Sequence, residues 1–98
     1  MEKSTPHCKL SVVKQLIADG KVRMTFSAAT GGQRLGLTEA QIVQTVNDLV
    51  PSNFYKSMTT HGDHTVWQDV YRPLSADGNI YLKITVIDDV LIVSFKEL

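Results

Sequence analysis

From Leu10 to Ile17 apolar residues return at intervals of three and four, with Leu10, Val13, Leu16 and Ile17 on one side of a helical wheel. Thr5-Pro6 ahead of this run is a helix-start signature, because the threonine hydroxyl can cap an orphan amide and proline forfeits nothing at the first helical position. Asp19-Gly20 supplies a stop, so a helix is predicted over Pro6 to Asp19. Val22, Met24 and Phe26 alternate with polar residues and predict a short strand with one buried face. Ser27 opens a weak helical turn that the pair Gly31-Gly32 is expected to interrupt. Thr38 with Gln41 forms a capping box ahead of Ile42, Val43, Val46, Leu49 and Val50, which predicts a second helix ended by Pro51. From Phe54 onward the period becomes two, giving three or four strands with turns at His61-Gly62-Asp63, Ala76-Asp77-Gly78 and Asp88-Asp89. Helices first and a meander second predict an α+β fold, with N-terminal helices packed on one face of a mainly antiparallel β-sheet and the other face partly open.

Composition changes this picture little. A chain of 98 residues with 43% hydrophobic and 20% charged residues is expected to form a single domain, 1–98, with an ordinary core. Its apolar stretches, such as Val90 to Val93, fall far short of the roughly 20 residues a membrane-spanning helix needs. The polar start, Met1 to His7, lacks the apolar segment of a secretory signal, and a cytoplasmic address is the expectation. Cys8 is the only cysteine, which excludes an internal disulfide or a thiolate metal cage. Ten basic residues balance ten acidic ones, which counts mildly against nonspecific polyanion binding. The first quarter is basic, with Lys3, Lys9, Lys14, Lys21 and Arg23 against Glu2 and Asp19, although a solvated helix face explains this equally well.

The last hairpin carries the candidate chemistry. A two-residue turn at Asp88-Asp89 sets Ile87 opposite Val90, and it follows that Leu82 faces Phe95. Leu82, Ile84, Val86, Leu91, Val93 and Phe95 then share the core face. On the other face Tyr81 lies across from Lys96 and Lys83 across from Ser94, with Cβ atoms about 5 Å apart in such pairs. A phenol beside ammonium groups can cut RNA without a metal, one group taking the 2′-hydroxyl proton while others neutralise the phosphorane and protonate the leaving oxygen. A tyrosine covering the stem of a surface lysine is the blander reading of the same pair. For the preceding hairpin, a two-residue Gly62-Asp63 turn pairs Lys56 with Asp69 as a surface ion pair. A three-residue loop from His61 to Asp63 instead pairs Lys56 with Gln68, extending a polar groove towards Tyr81 and Lys96.

Other chemistries lack residues. Asp63, Asp69, Asp77, Asp88 and Asp89 are scattered over turns and strands without a coherent octahedral ligand set. His61 and His64 would need His7 or Cys8 brought over them to hold zinc. No serine sits in a nucleophile elbow, and Gly31-Gly32 lacks the lysine of a phosphate loop.

Phe54-Tyr55-Lys56-Ser57-Met58-Thr59-Thr60, then Asp63 through Pro73, Ile80 through Ile87 and Asp89 through Glu97, resemble the MqsR toxins in long runs rather than in a short pattern. Met1-Glu2-Lys3 and Thr5-Pro6-His7 match as well, leaving Ser27 to Val50 as the divergent part. The resemblance implies a RelE-like fold and a metal-independent, ribosome-independent messenger-RNA endonuclease that cuts at GC-containing triplets such as GCU, the toxin of a type II toxin-antitoxin pair. The family's active-site positions fall on Lys56, Gln68, Tyr81 and Lys96, with Tyr55, Met58, His7 and Lys83 as RNA-binding candidates. Tyr81 is assigned as acid or base, Lys56 and Lys96 as phosphate stabilisers, and Gln68 as an orienting or base-reading group. The family pattern also favours the alignment of Lys56 with Gln68. No cofactor or metal is expected in this chain; the implied partner is an MqsA-like antitoxin, zinc-containing and DNA-binding. The competing readings are a noncatalytic module that co-regulates transcription through that partner, and a metal-dependent nuclease that EDTA would silence.

Overall fold

The computed structural model describes residues 1–75 and 78–98, and it is an α+β fold. In chain order the elements are β1 (Glu2–Lys3), α1 (Leu10–Ala18), β2 (Val22–Met24), α2 (Phe26–Arg34), α3 (Glu39–Asn47), a 3-10 turn (Pro51–Asn53), β3 (Phe54–Thr59), β4 (Trp67–Tyr71), β5 (Leu74–Ser75), β6 (Gly78–Ile87) and β7 (Asp89–Glu97). The main sheet runs in the order β1-β3-β4-β6-β7-β2; neighbours are antiparallel except β2, which lies parallel to β7. The core forms where Val13, Ile42, Val46 and Leu49 of the helical half meet Tyr71, Ile80, Leu82, Ile84, Val90, Ile92 and Phe95 of the sheet. Among the described residues no helix is long and apolar enough to cross a membrane.

The capping box forms as predicted: Gln41 N–H donates to the Thr38 hydroxyl at 3.2 Å and Thr38 N–H donates to Gln41 Oε1 at 2.8 Å. The first helix departs from expectation, starting at Leu10 rather than Pro6 with no side-chain cap from Thr5 or Lys9. The competing interaction is tertiary, since the amides of His7 and Cys8 donate to the two carboxylate oxygens of Asp69 at 2.9 and 3.0 Å and hold this stretch irregular against the sheet. The expected strand over Val22 to Phe26 stops at Met24, because Thr25 turns to cap a further helix, accepting from Ala28 N–H at 3.1 Å. That helix, α2, runs through Gly31 and Gly32 instead of breaking there. The glycines let it lie against β7, and a Cβ on Gly31 would sit 1.8 Å from the Phe95 carbonyl oxygen. Tertiary contact thus outweighs a propensity cost of roughly 1 kcal/mol per glycine.

Both predicted hairpin registers need correction. Ile87 pairs with Asp89 around Asp88, which takes the left-handed conformation at φ 65°, so Ile87 does not face Val90. Farther along, the pairing shifts from Ile84–Ile92 to Lys83–Ser94, leaving Val93 as a bulge residue. The bulge reverses the faces: Val90 and Ile92 are buried in the core with Phe95, while Leu91 and Val93, expected there, are only half-buried. It also restores the predicted pairs Leu82–Phe95 and Tyr81–Lys96. In the β3–β4 hairpin Lys56 pairs with neither Asp69 nor Gln68 but with Val70; Gln68 faces Met58. The connection is longer than either predicted turn, running from Thr60 to Val66, and a bulge at Tyr55 shifts the register again before Phe54–Tyr71. The turn expected at Ala76-Asp77-Gly78 lies partly outside the described residues.

Candidate active site

Strand alternation sends Asp69, Tyr71, Leu82 and Ile84 towards the helices and leaves the opposite face to a second set of side chains. Across β3, β4, β6 and β7 that open face carries Lys56 and Met58, Gln68 and Val70, Tyr81 and Lys83, and Ser94 and Lys96. The structure therefore brings Lys56, Gln68, Tyr81 and Lys96 onto one surface. Lys56 and Gln68 are diagonal neighbours rather than a direct pair, and Lys83 stands between Val70 and Ser94 near the centre. Val70 is fully buried yet is not part of the helix-side core, so the long side chains of this face cover it.

Tyr81 is the hub. The Lys96 ammonium lies 5.2 Å from its ring centroid and the Lys83 ammonium 5.9 Å, both within cation–π range. Burial, with the like charges of Lys96 and Lys56, lowers the pKa of Lys83 below its ordinary value. A lysine with a depressed folded pKa binds fewer protons folded than unfolded, so stability rises as pH climbs from the folded to the unfolded value. Lys83→Met should therefore raise the Tm at neutral pH, and wild type should close the gap as pH approaches 10; a Tm below wild type at pH 7 would refute the argument.

Lys56 is not free. Its ammonium pairs with the Glu2 carboxylate, and this ion pair raises the lysine pKa and lowers that of the acid. Glu2 reaches it because β1 pairs with β3, Glu2 lying opposite Met58 on the same face. A carboxylate here occupies a cation that an anionic ligand would otherwise be free to meet. Glu2→Gln is expected to lower the KM for a polyanionic substrate by roughly two- to fivefold, the scale of one screened surface pair, with the Tm unchanged.

At the rim, Tyr55 is 45% exposed, with the Arg72 guanidinium 3.6 Å from its ring centroid and the Lys56 ammonium at 5.4 Å. His7 does not join the site. It lies on the helix side of the sheet, its ring stacked on Trp67 at 5.6 Å, with Lys3 4.2 Å from the same tryptophan ring and the His7 amide on Asp69. Asp69 is 3% exposed and anchors the N-terminal segment. Asp69→Ala should cost about 2 kcal/mol by leaving two amides without acceptors, read as a lower urea midpoint, and Asp69→Asn should cost less because one acceptor survives.

Sequence reasoning missed Glu2 and Arg72, and also Phe26 and Arg34, which line a cleft with Lys96. Glu2 was invisible because its position depends on a two-residue edge strand pairing far along the chain. Arg72 could have been suspected from its place directly after the β4 core residues.

Fold and site together define a class: a small α+β domain whose helix-free sheet face presents a tyrosine among lysines, suited to polyanion chemistry. The comparisons narrow it. Residues 5–97 match the family model described as motility quorum-sensing regulator, toxin of MqsA. The chain is 58% identical over 97 residues to the mRNA interferase toxin MqsR of Escherichia coli (strain K12), covering 99% of each chain. It belongs to the MqsR toxin family.

Proposed function

We propose that the chain is a messenger-RNA endonuclease that works without a metal ion, cutting at GC-containing triplets such as GCU independently of the ribosome. The observation that supports it best is Tyr81 flanked by Lys83 and Lys96, with Lys56 and Gln68 across the same helix-free face. In such a reaction the ribose 2′-oxygen attacks the adjacent phosphorus and the 5′-oxygen leaves, giving a 2′,3′-cyclic phosphate and a 5′-hydroxyl. Tyr81 transfers a proton, at the attacking or the leaving oxygen. Lys56, once released from Glu2, and Lys96 neutralise the charge that builds on the phosphorane. Gln68 offers an amide to orient the sugar or read a base edge, with Met58 and Tyr55 along the groove and Lys83 holding a phosphate oxygen. The name of the Escherichia coli relative supports messenger RNA as substrate.

The family description supports an MqsA-type antitoxin as partner, a zinc-containing DNA-binding protein that would keep the toxin in check in the cytoplasm. The short edge strands β1 and β2 offer backbone groups on which such a partner could add a strand.

The test is a defined RNA with one GCU, incubated with purified protein in EDTA without ribosomes, its ends mapped. Cleavage at the triplet leaving the two ends named above is expected. Cleavage only after magnesium is restored would point to a metal-dependent nuclease, and intact RNA to a noncatalytic module acting through its antitoxin.

A further inference from the structure

Helix α2 lies along the outer side of β7 where β2 has ended, and the seam between them opens into a cleft of about 360 Å³. Its helix wall carries Phe26, Thr30 and Arg34; its strand wall carries Ser94 and Lys96. Lys96 belongs to both this cleft and the open face, so the two surfaces are continuous. Arg34 and Lys96 also border, together with Glu97, a neighbouring hollow of about 230 Å³, so the two cations line the surface past the end of α2. Neither side chain forms an ion pair among the described residues. Phe26 is 88% exposed, whereas Phe95 is 1% exposed and Phe54 packs against the core. A single exposed aromatic is common enough on its own. One that stands at the mouth of a cleft walled by an arginine and a lysine has the composition of a single-stranded nucleic-acid platform, in which a base stacks on a ring and cations follow the backbone.

We propose that this cleft is a nucleotide subsite: Phe26 stacks a base flanking the cleaved triplet, and Arg34 holds the phosphate beside it. The inference rests on the reading of the open face as a ribonuclease site and extends it from the scissile phosphate to a neighbouring nucleotide. The walls suit RNA better than a protein partner, because the cleft offers two cations that form no ion pair among the described residues and a planar ring rather than a broad apolar patch. Gly31 fixes the geometry by holding the helix directly on the strand backbone, so the distance from Phe26 to Lys96 is built in rather than adjustable.

Cleavage kinetics on a minimal GCU oligonucleotide and on the same triplet extended by several nucleotides on each side test it. Phe26→Ala should raise the KM for the extended RNA roughly 5- to 100-fold, the range for loss of one base–aromatic stack, with kcat unchanged and the minimal substrate unaffected. Phe26→Trp should keep the wild-type KM. Arg34→Ala should flatten the salt dependence of binding by about one phosphate contact. A direct readout is independent of catalysis: Phe26→Trp fluorescence, corrected for Trp67, should be quenched by the extended RNA made uncleavable with 2′-O-methyl groups. Equal KM for Phe26→Ala and wild type on the extended RNA overturns the subsite, as does unquenched fluorescence. A Phe26→Ala protein that cuts normally but binds its antitoxin weakly would assign the cleft to protein. Wild type that leaves RNA intact defeats the ribonuclease reading, and the fluorescence then still decides whether RNA enters the cleft.

Discussion

Tyr81→Phe is expected to lower the rate of RNA cleavage by roughly 10²- to 10⁴-fold, the usual share of a positioned acid or base, while leaving the fold intact. The substitution removes one hydroxyl and keeps the ring on which the Lys83 and Lys96 ammoniums rest. The loss should appear in kcat, because a proton is transferred only during reaction, whereas KM depends on cations that remain. Lys96→Ala should also cost roughly 10²- to 10³-fold, the scale of removing one donor to a developing anion, and should raise KM as well, since in the proposed reaction the ammonium would meet the phosphate before and during the chemical step. Single-turnover cleavage of one defined RNA, with circular dichroism melts as the folding control, separates the cases. A Tyr81→Phe protein with wild-type turnover would remove the phenol from the chemistry and leave the lysines to carry it.

The pairing that supports this expectation was legible in the sequence for an instructive reason. A two-residue turn at Asp88-Asp89 predicts the partner of Tyr81 correctly and the partners of Ile84 and Val86 incorrectly. The true turn is tighter by one residue, and the bulge at Val93 adds the residue back before Tyr81 is reached. Nothing local in Leu91-Ile92-Val93 announces a bulge, because all three are apolar and fit either face. Its cause lies elsewhere, in Thr25, whose hydroxyl donates to the Val93 carbonyl oxygen at 2.8 Å and whose amide donates to that of Ile92 at 3.0 Å. The Lys56 register failed for a simpler reason, a long connection that the Gly62-Asp63 signal understated, while the bulge at Tyr55 moves only the pairing of Phe54 beyond it. The face survived even where the partner did not, since Lys56 opposite Val70 and Lys56 opposite Gln68 point the same way.

The helical half shows the same division. Thr38 and Gln41 satisfy each other within one turn, so their capping box could be read directly. Thr5-Pro6 is an equally good local signal, and it lost to Asp69, a residue more than sixty positions away that claims the amides of His7 and Cys8. Local signals held where no distant group competed for the same backbone donors. Gly31-Gly32 is the sharpest case, because the feature that argues against a helix in isolation is what lets this one approach β7.

Gly31→Ala measures the difference. In an exposed helix the change would add roughly 1 kcal/mol of stability. Here the new Cβ would stand 1.8 Å from the Phe95 carbonyl oxygen and 3.0 Å from its carbon. The obstructing atom belongs to the backbone of β7, which cannot swing aside as a side chain end can, so α2 has to lift from β7. Overpacking of this kind costs roughly 1–3 kcal/mol or more; with the helix displaced as a body, a net loss of about 3 kcal/mol is expected. For a domain of this size that corresponds to a Tm lower by roughly 12 to 24 °C. Gly32→Ala is the comparison, because its Cβ would meet the Cδ1 and Cγ1 atoms of Ile42, a side chain rather than backbone, and should cost less. The consequence reaches the site as well: the alanine methyl would lie 3.7 Å from the Lys96 Cα, so any Gly31→Ala protein that still folds should cut RNA poorly at temperatures well below its melt. A melting temperature equal to wild type would mean that α2 slides without penalty, and the fixed spacing between Phe26 and Lys96 would have to be abandoned with it.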